Sequence, residues 1–282
     1  MDVVGIGENS LDLVVRIAEP PVAGGKQPIL RQRTMPGGQV ATTLCTCAAL
    51  GLRTAYVGAF GDDEAGRLIR EVLSSRGVDL SASVTRQAPN RTAVILVDEE
   101  TGGRSVFHHR DLALQLGRDD LPPGLVEGAR VVHVDATSPE LALHAANRAR
   151  VANRIVTTDV DGDDDMSRAL MLGATHPIMA EHVPAAMTGE RDLEKALRAL
   201  WQPGHAMLCV TLGERGSALL AGDRFYTAAA PAVDVVDTTG AGDVFRGAFI
   251  YALLRGDGPD DLLRFANATA AISCTREGAI SL

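Results

Sequence analysis

Short apolar, β-branched runs recur along the chain, each bounded by glycine or polar residues: DVVGIG (2–7), TAYVGAFG (54–61), RVVHVDAT (130–137), RIVTTDV (154–160) and AMLCVTLG (206–213). Runs this short and continuously apolar predict strands buried on both faces, as in a parallel sheet. Between them the apolar period lengthens to that of helices, in GGQVATTLCTCAALG, DDEAGRLIREVLSSRG, SPELALHAANRARVAN, ERDLEKALRALW, GAGDVFRGAFIYALLRG and PDDLLRFANATAAISCTREG. Alternation of this kind predicts a doubly wound, three-layer α/β/α domain with a mostly parallel sheet, spanning residues 1–282 as one unit. Two segments break the rhythm, roughly residues 11–36 and 90–110, the second reading as a hairpin around DEETGG. They predict a small β-sheet lying as a lid over the carboxyl edge of the main sheet.

Composition then narrows the partners. The 282 residues are 46% hydrophobic, enough for a large core, and carry a net charge of −9 from acids spread along the chain. That balance argues against nucleic acid or an anionic membrane as partner and favours a small molecule. No apolar run approaches the roughly 18 residues of a membrane span, and the opening MDVVGIGENS has neither a basic leader nor a cleavage site. A cytoplasmic protein is expected. The cysteines, Cys45, Cys47, Cys209 and Cys274, lack any metal-ligand spacing and read as reduced filler.

Ligands of such sheets bind beyond the carboxyl ends of the strands, and three glycine signals fall there. GIGENS after the first strand fails as a dinucleotide fingerprint, because Ser10 replaces its third glycine and AEPPVAGG stands where the crossover helix should be. PGGQVATTL places Gly37 and Gly38 at a helix start, where they serve either a ligand or close packing. DTTGAGD (237–243) runs straight into an apolar helix. Gly240, Ala241 and Gly242 would present bare backbone N–H groups at the helix dipole's positive end, a fixed anion site. Asp243 would stand beside it, placed to take a proton during phosphoryl transfer to a hydroxyl; the plainer reading is a charged helix start and a tight turn.

VDTTGAGDVFRGAF closely resembles the C-terminal signature of the ribokinase-like sugar kinases, the phosphofructokinase B group, and PGGQVATTLCTCAALG their N-terminal one; VGAFGDDEAG and VTLGERGS follow in family order. The resemblance covers essentially the whole chain. It implies an ATP-dependent kinase acting on a primary hydroxyl of a ketose or related sugar, with Mg2+ and in some members K+, and a β lid that often pairs two subunits. The lid region APNRTAVILVDEETGGRSVFHHRD further resembles those of ketohexokinases and sulfofructose kinases. Carried over residue by residue, Asp243 matches the catalytic base and Gly240, Ala241 and Gly242 the anion hole. Asp12, Gly37 and Gly38 match sugar-binding positions, with Asn9 a neighbouring candidate. Thr211, Gly213 and Gly216 match the nucleotide loop, Asn267 and Gly278 the adenine side, and Asp237 and Thr239 a backbone monovalent-cation loop.

The chain also departs from the family. Thr42 stands where many members bind sugar with asparagine, and Ala180 and Val183 replace the Asn-x-x-Glu motif that orders magnesium, leaving Glu181 the one carboxylate there. Arg110 in the lid invites an anionic acceptor or a plain surface pair. A nucleoside kinase, a 2-keto-3-deoxy-sugar-acid kinase and a catalytically silent sugar-binding protein stay open as alternatives, the first disfavoured by only 4% aromatic residues. DVDGDDD (159–165) lacks the glycine and bidentate acid of a calcium loop and predicts a solvated helix start, with Asp159 the acid that faces the site. His108 and His109 read as surface residues, His133 and Trp201 as packing.

Overall fold

A computed structural model describes residues 1–100 and 103–280. From β1 (Val3–Ile6) the chain leaves the main sheet for β2 (Ser10–Ile17) and β3 (Arg31–Gly37), and returns through α1 (Gln39–Ala49) to β4 (Thr54–Val57). β5 (Ala59–Gly61), α2 (Glu64–Ser75) and β6 (Val84–Arg86) precede the second excursion, β7 (Thr92–Asp98) and β8 (Arg104–His109). Regular alternation follows: β9 (Val131–Val134), α3 (Pro139–Val151), β10 (Ile155–Val160), α4 (Asp165–Gly173), β11 (His176–Ala180), α5 (Val183–Thr188) and α6 (Leu193–Leu200). The chain closes with β12 (Leu208–Thr211), β13 (Ser217–Ala221), β14 (Arg224–Ala228), α7 (Ala241–Arg255) and α8 (Pro259–Cys274).

The main sheet has the order β14-β13-β12-β11-β10-β9-β1-β4, parallel from β4 through β12 and antiparallel beyond it. Period-two alternation divides its side chains between two helical layers. Val4, Ile6, Val132, Val134 and Val156 pack on Leu141 of α3 and Leu170 of α4, and Val160, Leu208 and Val210 on Val183 of α5 and Leu197 of α6. Val3 and Val131 face the opposite layer, where Leu44 of α1, Ile69 of α2 and Ile250 of α7 lie; Ile178 and Cys209 join Phe249 of α7 and Leu263 of α8. The lid is a separate sheet ordered β3-β2-β7-β8, its centre the parallel pair β2–β7. The tip of its hairpin, Thr101-Gly102, lies outside the described residues.

Five sheet strands are marked by the apolar runs, whereas the sheet has eight. β11 escapes because His176 and Pro177 interrupt its apolar character, although both are buried in the structure. β13 and β14 form an antiparallel hairpin around Gly222 (φ 60°) rather than a strand–helix unit. TAYVGAFG is not one strand but two: β4 stays in the main sheet and β5 pairs with β6. The break falls at Gly58, where a Cβ would sit 2.0 Å from the Tyr56 hydroxyl. The acidic run behaves as expected, with Asp164 capping α4 by accepting the Ser167 N–H at 2.7 Å.

Candidate active site

DTTGAGD folds as a loop locked by its own first acid. Asp237 accepts the Thr239 N–H through Oδ1 (2.9 Å) and the Gly278 N–H through Oδ2 (3.0 Å). Gly240, at φ 74°, turns the chain into α7 directly against Ala279, whose Cβ would lie 2.5 Å from an added Cβ. The Ala241 N–H is drawn onto the Thr238 carbonyl at 3.2 Å. The amides of Gly242 and Asp243 follow in the first turn, where no intrahelical acceptor exists, so they are the donors left for an anion. The Thr43 hydroxyl donates to the Asp243 carbonyl at 3.1 Å, pinning the helix start to α1. The Asp243 carboxyl titrates well above the usual carboxylate range, because burial and then the neighbouring Asp159 penalise its charge; Arg246 opposes them.

On one side of this turn lies a cavity of about 830 Å³. Thr211, Gly213, Gly216 and Asn267 line it, with Ala230, Pro231, Val233, Phe245, Ala241 and Gly242. Its walls are largely small or apolar, as a purine and ribose require, and Gly242 brings it to the anion-binding turn. Gly216 has φ 92°, and a Cβ there would lie 2.0 Å from the Ala228 carbonyl oxygen. Asn267 spends one amide N–H on the same Ala228 carbonyl (2.9 Å), so it braces the cavity wall. Gly278 is not among the lining residues: it lies under Met35 of the lid, whose Sδ is 3.2 Å from an added Cβ, and its N–H serves Asp237.

The other side is charged and tight. Asp12, on β2, is buried; desolvation raises its pKa and Arg91 opposes the rise from 3.6 Å. Asp12 Oδ1 and the Thr42 hydroxyl are buried without a hydrogen-bond partner among the described residues, as acceptor-binding groups in a ligand-free site would be. Gly37 leaves room for Asp12, since a Cβ there would lie 2.9 Å from Oδ2. Gly38, at φ 100°, instead lets α1 touch the loop after β1, with Asn9 Cα 2.5 Å from an added Cβ; its part is close packing. Asn9 is likewise consumed by the fold. Its Nδ2 donates to the Tyr56 hydroxyl and the Ala59 carbonyl, both at 2.8 Å, and its Oδ1 accepts from Asn90.

Arg110 does not reach solvent unpaired. It shares Glu8 Oε1 with Arg91, at 2.7 and 2.6 Å. Glu8 in turn donates its backbone N–H to Asp135 (2.8 Å), a fully buried acid at the end of β9 whose pKa burial and Glu8 push up to about 7. Glu8, Arg91, Asp135 and Arg246 were not singled out by motif, although Asp135 carries a usable signal, an acid ending a buried parallel strand. Asp159 does face the site, buried under α7 and paired with Arg246. Glu181 is more than half exposed and paired with Arg215. Among the described residues no group of three or more His, Cys, Asp or Glu could hold a metal ion. The side chains therefore do not fit a protein-built magnesium cage. His133 is buried and neutral, bonded to Thr157 at 3.0 Å, and Trp201 packs edge-on to His205.

Residues 2–282 match the pfkB family of carbohydrate kinases. The chain belongs to that family. It is similar to a nucleoside kinase of Methanothermobacter thermautotrophicus (28% identity over 98% of this chain and 90% of that protein) and to fructokinase-2 of Oryza sativa subsp. japonica (27% over 99% and 89%). Among solved structures, Arabidopsis thaliana ribokinase complexed with ribose and ATP superposes with a TM-score of 0.86 at 28% identity, over 99% of this chain and 94% of that one. The pfkB membership makes the protein an ATP-dependent carbohydrate kinase of ribokinase-like fold. No helix of the described residues is long and apolar enough to cross a membrane.

Proposed function

We propose that this kinase transfers the γ-phosphoryl group of ATP to a primary hydroxyl of a neutral ketose or related sugar. The observation that carries the proposal is Glu8, whose carboxylate pairs with both lid arginines, Arg91 and Arg110, from within the protein. An anionic acceptor would have to displace a buried carboxylate to claim them, whereas a neutral sugar meets the acceptor groups Asp12 and Thr42 directly. Asp243 takes the proton of the attacking hydroxyl. The first-turn amides of Gly242 and Asp243 stabilise charge gathering on the phosphoryl group. Thr211, Gly213, Gly216 and Asn267 shape the nucleotide cavity. Mg2+ carried by the triphosphate would supply charge neutralisation, and Glu181 is at most an outer contact. The loop at Asp237 and Thr239 offers backbone carbonyls to a monovalent cation such as K+.

The deciding experiment measures ATP consumption against neutral sugars, sugar phosphates, sugar acids and nucleosides. Turnover best with a neutral sugar is expected; turnover confined to sugar acids, sugar phosphates or nucleosides overturns the acceptor assignment, and none at all overturns the kinase reading. We also propose a homodimer through the lid, whose face leaves Val94 and Phe107 exposed on neighbouring strands. Sedimentation should give a dimer that Phe107→Glu dissociates; a monomeric wild type removes it.

A further inference from the structure

α7 carries, one turn after Asp243, an arginine that no surface position explains. Arg246 is 5% exposed. One end of its guanidinium is ion-paired with Asp159 of β10, also buried, and Nη1 lies 3.8 Å from Asp243 Oδ1. Its Nε is buried with no hydrogen-bond partner among the described residues. A desolvated guanidinium is costly to keep unless its pairing matters. The residue before Asp243 makes the space for it: a Cβ on Gly242 would stand 2.7 Å from Arg246 Nη1. Pinned by Asp159, that nitrogen cannot swing away without breaking a buried pair.

The surroundings explain why a cation is needed there. Asp243 is faced by Asp159 from β10, by Glu8 from the loop after β1, by Asp135 from the end of β9, and by the Thr43 hydroxyl of α1, which reaches its carbonyl. On the same sheet face His133 is neutral and contributes no charge. Arg91 and Arg110 are committed to Glu8. Against burial, Asp159, Glu8 and Asp135, which all disfavour the charge on the Asp243 carboxyl, Arg246 favours the ionised form. A base must be ionised before it can take a proton.

Resting on the reading of Asp243 as the base, we infer that Arg246 is a positioning residue for phosphoryl transfer: anchored on Asp159, its guanidinium keeps the Asp243 carboxylate ionised and oriented, and Gly242 is bare to admit it. The bare backbone of the GAG turn thus serves the protein's own cation as well as the incoming phosphate.

The test compares Arg246→Gln, Arg246→Lys and Gly242→Ala in the whole enzyme, reading kcat against pH together with the carboxyl carbon of Asp243 by NMR titration. Loss of the cation raises the pKa of Asp243, so Arg246→Gln should move the acidic limb of the kcat profile upward by about a unit or more and lower kcat near neutral pH by about a hundredfold. The KM values should change little. Arg246→Lys, which keeps the charge, should recover to within about tenfold of wild type. Gly242→Ala should lower kcat in the wild type and lower it by clearly less in the Arg246→Gln background, because one of the two groups that the bare backbone admits is already gone. An unmoved Asp243 titration in Arg246→Gln, or equal losses in the Lys and Gln variants, overturns the inference. So does a Gly242→Ala loss that is the same in both backgrounds, which would assign the space to phosphate alone. Asp243→Asn with normal turnover would sink the base assignment instead, and the NMR titration would still report whether Arg246 acts on that carboxyl.

Discussion

The large cavity that Gly242 joins to the Asp243 turn and the charged pocket around Glu8 are built from opposite materials. The first is roomy, about 830 Å³, and walled mainly by small and apolar residues, among them Gly213, Gly216, Ala230, Pro231 and Val233. The second closes to about 20 Å³ between Glu8, Arg91, Arg110, Thr137 and Ser138, and its charges are bonded to one another. A wall of small residues accepts a ligand with little rearrangement. A wall of paired charges has to exchange partners before it admits one, which favours some ligands over others. The two ends should therefore fail separately when mutated, one in the KM for ATP and the other in the KM for the sugar.

The largest effect is expected at the Asp243 turn. Asp243→Asn should lower kcat by about 10² to 10⁴ while both KM values hold; a variant with a tenth of wild-type turnover would detach the base from the turn. Next comes the nucleotide wall. Gly216→Val forces a side chain into φ 92° and onto the Ala228 carbonyl, and should raise the KM for ATP about tenfold to a hundredfold with the sugar KM unchanged. If both constants rose together, the walls would not be independent. Asp12→Ala makes the reciprocal change, a sugar KM raised about tenfold to a hundredfold and an ATP KM left alone, as the loss of a charged hydrogen-bond acceptor implies. The smallest effect belongs to the cation loop. Rates in K+ should exceed those in a bulky organic cation at equal ionic strength, and identical rates would leave the Asp237 loop a purely structural turn.

The same contrast decides what could be read from the sequence. The nucleotide end is written in contiguous motifs, because glycines with positive φ and a helix start are local features; TLGERG and GAGD announce themselves. The acceptor end is assembled from single residues in different elements. Arg91 looks like any surface arginine until β7 is laid beside β2, and Glu8 gains its meaning from partners 83 and 102 positions away, as the numbering of its two salt bridges shows. Asn9 sat close to Asp12 in the chain, yet it lies in the loop before β2 and its side-chain amide is bonded into the core to Tyr56 and Ala59. Arg246 was hidden by its helical context, where an arginine every few residues is unremarked until one of them proves buried. In the fold, the parallel strands other than β11 were visible because burial on both faces leaves an apolar run, a mark that β11, broken by His176 and Pro177, and the β13–β14 hairpin lacked.

The bond from the Thr43 hydroxyl to the Asp243 carbonyl joins residues 200 positions apart. It means that catalysis has a place in the order of synthesis. While the ribosome is still extending the chain, β1, β4 and α1 can meet, since Val3, Tyr56 and Leu44 share one cluster, but the α1 face that carries Thr43, Thr46 and Cys47 waits for Gly247 of α7 to cover it. The nascent chain thus lacks Asp243 and has an uncovered helix face, a state that aggregation and chaperones compete for. Docking of α7 ends that exposure and installs Asp243 in one event, so a molecule that has buried this face has also completed its site.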